Sequence, residues 1–132
     1  MRRIPALILA LMALVNLVRG GVHAFAPDGG AHSIAGLDLA AGSQTILSLF
    51  ATLGVGQIVR GLAQAYVLAR RRDLVALFLA IQAADTLAAM AALYLWRPLP
   101  VTVPGQPANL ALLAVQLAAL GVAWRWPAQA RA

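Results

Sequence analysis

Four apolar stretches, each near the roughly 20 residues that a helix needs to cross a hydrocarbon core, take up most of this 132-residue chain. They run approximately over residues 4–25, 45–69, 74–96 and 108–124. In lipid every backbone polar group must be satisfied within the chain, and for spans of this length only helices achieve that. The expectation is an all-α membrane protein: an antiparallel four-transmembrane-helix bundle, one domain over residues 1–132, with an ordered external loop after helix one. Composition agrees, since 62% of the residues are hydrophobic and only 11% charged, against about 25% charged in a soluble domain.

Several chemistries are excluded or left without support. There is no cysteine, so disulfides and thiolate catalysis are absent. The chain has no HExxH pattern, no glycine-rich phosphate loop and no convergent Ser-His-Asp set, so no catalytic residue is assigned. All basic residues are Arg and all acidic ones Asp, a bias that reads as a GC-rich bacterial coding preference. The net charge of +6 does not point to nucleic acid, because the arginines are spread over short connectors and form no single basic face.

Topology accounts for them better. Arg2 and Arg3 precede the first stretch, Arg70, Arg71 and Arg72 separate the second from the third, and Arg125 and Arg131 follow the fourth. The opposite connectors carry only Arg97 and the edge residue Arg19, so the positive-inside rule puts both termini in the cytoplasm of a bacterial inner membrane. Tyr94, Trp96, Trp124 and Trp126 fall at helix ends, where amphipathic rings prefer the headgroup region. The first stretch also has features of a secretory signal, with a basic start and a small-x-small pattern at Ala24-Phe25-Ala26. It is expected to be retained as helix one.

The connectors differ in kind. Arg70-Arg71-Arg72-Asp73 is very short, which predicts a hairpin of helices two and three with Asp73 capping the latter. The segment from Pro98 to Pro107 carries four prolines and reads as an extended strap. The loop from Ala26 to Leu39 opens on a Pro-Asp-Gly turn signal, and Ile34, Leu37 and Leu39 suit a segment lying on the outer membrane surface. It is read as a structural cap, with a ligand-covering lid or partner surface as the alternative.

Polar residues inside the spans supply the candidate site. Gln57, Arg60 and Gln64 share one face of helix two, Gln82, Asp85 and Thr86 one face of helix three, and helix four adds Gln116. Counted from the shared turn, Arg60 and Asp85 lie roughly 15 and 18 Å deep at 1.5 Å per residue, close to mid-bilayer. A central charge costs about 2.5 to 3.5 kcal/mol on insertion scales, so the two are expected to pair. Helix one has Asn16, Arg19 and His23 at the same spacing toward its outer end, which with Asp28, His32 and Asp38 form an outer-side polar set. Neither bis-histidine haem nor a metal site is assigned to it, because the spacing matches no strong ligand pattern.

Two further patterns bear on packing. Asn16-Leu17-Val18-Arg19-Gly20 resembles Gln57-Ile58-Val59-Arg60-Gly61, but the likeness is short, lies in a low-complexity chain and reads as coincidence. Ala76, Ala80, Ala84, Ala88 and Ala92 form a small-residue stripe nearly opposite Gln82 and Asp85, either a helix-packing interface for another subunit or plain alanine filling. Gly54, Gly61 and Ala65 give helix two small residues near its polar face.

The whole chain resembles the DoxX-like small four-helix membrane proteins. The likeness rests on Ala26-Pro27 at the end of helix one, Leu37-Asp38-Leu39 before helix two, Gly54, Gly56 and Gly61 within it, and the proline-rich loop before a short last helix. Some members of that group are associated with quinone-linked membrane oxidoreductases, which implies an auxiliary subunit. The leading expectation is therefore a non-catalytic accessory subunit of a larger inner-membrane complex, with membrane lipids and other subunits or further copies of the chain as partners. The alternative is a module that binds or transports a lipid- or quinone-like molecule around Gln57, Arg60, Gln82, Asp85 and Gln116. A small membrane enzyme using Asp85 as acid or base ranks third, since no second catalytic group accompanies it. No cofactor is indicated beyond such a lipid or quinone.

Overall fold

A computed structural model of the chain describes residues 3–99 and 103–125. Arg2, Trp126, Arg131 and residues 100–102 of the proline strap lie outside the described residues. The chain forms α1 (Ile4–Phe25), α2 (Ser43–Arg70), α3 (Val75–Ala91) and α4 (Gln106–Arg125). A 3-10 turn, Arg72–Leu74, leads into α3, and a π turn, Ala92–Trp96, extends it. Four segments are long and apolar enough to cross a membrane, Ile4–Phe25, Ser43–Arg70, Arg72–Trp96 and Pro107–Arg125.

Local chemistry sets the ends. Pro5 sits in the first turn of α1, where its missing N–H is no loss. Gly42 enters α2 with φ of 72°, a left-handed conformation that favours glycine. At the far end of α2 the Arg72 Nε donates to the Leu68 carbonyl, 3.0 Å away, satisfying an acceptor that the helix leaves open. Asp73 departs from expectation. It does not cap α3; both its oxygens accept from Arg71, Oδ1 from Nε at 3.1 Å and Oδ2 from Nη2 at 2.9 Å. A planar guanidinium two residues away matches a carboxylate in two places, whereas a cap supplies one backbone N–H. That pairing raises Arg71 above its ordinary range.

Beside apolar side chains the interior holds polar ones, and many large apolar side chains face outward. Leu7, Leu14, Leu49, Val59, Leu62 and Leu87 are exposed, while Asn16, Gln57, Gln64, Gln82 and Gln116 are buried. A water-soluble fold buries the first set and exposes the second. The helices are bound by different means. α1 and α2 make the most extensive contact, α3 packs chiefly on α4, and α2 and α3 touch little although the shortest turn joins them. A close α2–α3 hairpin is thus not what forms; a short connector fixes chain distance, not packing distance.

Glycine explains the α1–α2 seam. A Cβ on Gly20 would stand 2.7 Å from the Gly54 carbonyl oxygen, and one on Gly54 would stand 2.6 Å from the Ala24 nitrogen. A Cβ on Gly61 would meet Leu17 Cγ at 2.8 Å and the Ala13 oxygen at 3.0 Å. Backbones come this close only where side chains are missing, the device that lets helices associate in lipid without a hydrophobic drive. The likeness between the α1 and α2 stretches acquires a packing role here. Gly20 meets Gly54 and Ile58, while Gly61 meets their counterparts Ala13 and Leu17, so exchanging the two stretches maps one contact onto the other. A separate apolar core of Leu9, Val67, Val75, Leu79, Ala119 and Leu120 ties all four helices together.

Candidate functional site

The polar faces of the four helices converge. From α1, Asn16 Nδ2 donates to Gln64 Oε1 of α2 at 3.0 Å and to Gln82 Oε1 of α3 at 2.8 Å. Gln64 Nε2 donates to the same Gln82 oxygen at 2.7 Å, closing a triangle of three buried amides. Thr86 Oγ1 donates to the Gln82 carbonyl oxygen one turn back, at 2.9 Å. Such interhelical hydrogen bonds average about 0.6 kcal/mol in lipid, so the triangle contributes mainly by fixing the mutual rotation of three helices. Asn16 belongs to this cluster and not to an outer-side set, because the glycine seam draws the middle of α1 against α2.

Beside the triangle Arg60 of α2 donates through Nη1 to Asp85 Oδ2 of α3. Both side chains are only part-buried, and the reason is a cavity of about 180 Å³ that they line with Asn16, Gln57, Gln82 and Gln116. Its apolar lining includes Met12, Leu53, Met90 and Leu93. Space of this size, at roughly 30 Å³ per molecule of liquid water, holds a few waters or a small polar group. Gln116 Nε2 donates to the Met12 thioether at 3.1 Å, a weak acceptor. The side-chain amide oxygens of Gln57 and Gln116 are buried and have no hydrogen-bond partner among the described residues. Buried polar atoms are nearly always paired, so these two are conspicuous beside the bonded triangle of Asn16, Gln64 and Gln82.

Sequence reasoning missed two contributors, Asn109 and Gly20, and placed a third, Arg19, only in the outer-side set. Arg19, placed by its position at the outer edge, lines the cavity, where its Nη1 donates to Asn109 Oδ1 of α4 at 3.3 Å. Asn109 stands seven residues before Gln116, a spacing that keeps both on one helical face, and that periodicity was the signal available for it. Gly20 was the other, legible only through its counterpart Gly61.

The remaining outer-side residues do not converge on a site. His23 is buried; its Nδ1 lies 2.6 Å from the Gly29 carbonyl oxygen and therefore carries the proton, and its ring meets Phe50 edge-on at 5.2 Å. Asp28 accepts from the backbone N–H groups of Ser33 at 2.7 Å and Gly30 at 2.9 Å. Those bonds, Ser33 first, lower its carboxyl to about 2. His32 Nδ1 lies 3.2 Å from the Leu37 carbonyl oxygen, and Asp38 Oδ1 accepts from Ala40 at 2.8 Å. The polar atoms of this set are spent on folding their own loop, which Ala31, fully buried, anchors. Among the described residues no three His, Cys, Asp or Glu gather as metal ligands would.

Along the alanine stripe, Ala80 packs on the apolar core and Ala76 and Ala92 are half-buried, while Ala84 and Ala88 are exposed. No family model, curated protein or solved structure matches the chain.

Proposed function

We propose that this chain is a small antiparallel membrane bundle of the bacterial inner membrane, termini in the cytoplasm, that binds an amphipathic lipid- or quinone-like molecule at the polar cavity. The observation that carries the reading is the cavity itself: charged and amide side chains from all four helices line one space, and two of the amides keep a buried oxygen without a partner. Polar groups at such depth are costly and commonly mark a ligand or ion path. A bundle that needed polar groups only for packing could close them on one another, as Asn16, Gln64 and Gln82 do. The ranking of the two leading sequence expectations thus reverses, with the binding module placed ahead of the accessory subunit.

Purification in mild detergent followed by mass spectrometry of the solvent extract tests this. One amphiphile should accompany the protein near stoichiometry and be lost from Gln57→Leu, whose fold persists. An extract of the variant identical to that of the parent protein would count against the cavity as the binding place.

The accessory-subunit reading keeps one favourable observation. Ala84 and Ala88 are uncovered in the isolated chain, and small exposed residues at i, i+4 allow a further helix to approach closely. Ala84→Leu should then release partner subunits from a native extract while the bundle stays folded; unchanged partner composition removes that reading.

A further inference from the structure

Charge around the cavity is unbalanced. Arg19 and Arg60 both line it, and Asp85 is the one acidic residue there. The two arginines hold matching places in the like stretches of α1 and α2, each reaching across to another helix: Arg60 to the carboxylate of Asp85 on α3, Arg19 to the neutral amide of Asn109 on α4. No acidic side chain is left for Arg19. The chain has four, and Asp28 and Asp38 are bonded within the loop, Asp73 to Arg71, and Asp85 to Arg60. A guanidinium offers five donors in a fixed fork, and a single amide oxygen at 3.3 Å uses little of that capacity. Arg19 is exposed, so this capacity is open to a ligand, and a charge-assisted bond to an anion is stronger than its bond to a neutral amide.

Resting on the cavity reading above, we propose that the cavity takes a phosphate-type oxyanion held between Arg19 and Arg60. At about 180 Å³ it accepts a headgroup but not acyl chains, which would lie outside along the exposed leucines. Phosphate oxygens accept from the fork of Arg19 and from the donors of Arg60 that Asp85 leaves free, and a neutral quinone ring would leave the excess charge of Arg19 unmet.

Native mass spectrometry of protein exchanged into neutral detergent, with four probes added separately, tests the assignment: phosphatidylglycerol, phosphatidylcholine, inorganic phosphate and a short-chain ubiquinone. Phosphatidylglycerol should be retained about tenfold over phosphatidylcholine, a difference of about 1.4 kcal/mol. Arg19→Gln should reduce that preference to about twofold or less, Arg19→Lys should keep most of it, and Arg72→Gln, at the exposed turn, should leave it unchanged. Competition by inorganic phosphate at equal concentration would identify a free anion as the source of the oxyanion; its failure to compete would identify a lipid headgroup. An equal loss in Arg72→Gln would mean diffuse charge attraction and would overturn the proposal, as would an Arg19→Gln protein with undiminished preference. Binding of the quinone without any anion preference overturns the oxyanion alone and leaves the cavity reading standing. Should none of the probes bind, both readings fail together.

Discussion

The two sides of α2 are held by opposite means. Toward α1, Gly54 and Gly61 bring backbones together so closely that a single Cβ has no room. Toward α3, the helices stay apart and are bridged by side chains, Arg60 to Asp85 and Gln64 to Gln82, with a cavity beside them. In lipid, where apolar burial gives no drive to associate, these are the two available ways to fix a neighbour. The first is dry, tight and intolerant of change. The second leaves space, lined by charged and amide side chains.

The largest expected effect lies in the seam. Gly54→Ala should destabilise by about 3 kcal/mol, because its Cβ meets the Ala24 backbone, which cannot turn aside as a side-chain tip could. Gly56, two residues on, faces open space, so Gly56→Ala should be neutral or stabilising by up to about 1 kcal/mol. Unfolding midpoints in a mixed-micelle denaturation series distinguish the two; equal costs would show that the seam does not depend on close approach.

The bridged side should lose less per change. Asp85→Ala strands Arg60, which would cost roughly 3 to 5 kcal/mol if fully buried, but both partners are part-exposed to the cavity and the expected loss is about 2 kcal/mol. Adding Arg60→Ala should restore part of it. A double-mutant cycle with no coupling energy would show that the contact bears no weight. Within the amide triangle, Gln82→Leu should cost only about 1 kcal/mol.

Much of this contrast was legible in the sequence, and the rest was not for identifiable reasons. Long apolar runs bounded by arginine and proline announced four helices, and α2 begins at Ser43, two residues before the expected span. Equal depth and opposite charge brought Arg60 and Asp85 together on paper. The separation of α2 from α3 was hidden, because it follows from the glycines that dock α2 on α1 and not from the Arg70–Asp73 turn. Asn109 escaped because it stands in the first turn of α4, where a polar residue looks like a helix end. The loop residues Asp28, His32 and Asp38 read as a set only while their backbone partners were unknown.

A smaller effect concerns that loop. The Asp28 carboxyl is lowered from 3.8 to about 2 by the Ser33 and Gly30 amides, so its contribution is complete above pH 3.8 and disappears as pH falls toward about 2. Amide exchange at Ser33 should be slow at pH 5 and quicken, relative to the intrinsic rate, across that window. In Asp28→Asn the protection should no longer follow pH. Orientation offers a yes-or-no check on the same loop: an impermeant thiol reagent on intact cells should label Ser33→Cys and not Arg72→Cys.

The central claim is that the seam carries the fold while the cavity carries the function, and a substitution that fills the cavity separates them. Ala89 lines the cavity and takes no part in the glycine contacts. Bound mass and unfolding midpoint should be measured together on Ala89→Trp, beside Gly54→Ala and the parent protein. The account predicts that Ala89→Trp loses the co-purifying molecule while its midpoint stays near that of the parent. Retention of that molecule, or a midpoint that falls as far as in Gly54→Ala, would contradict it.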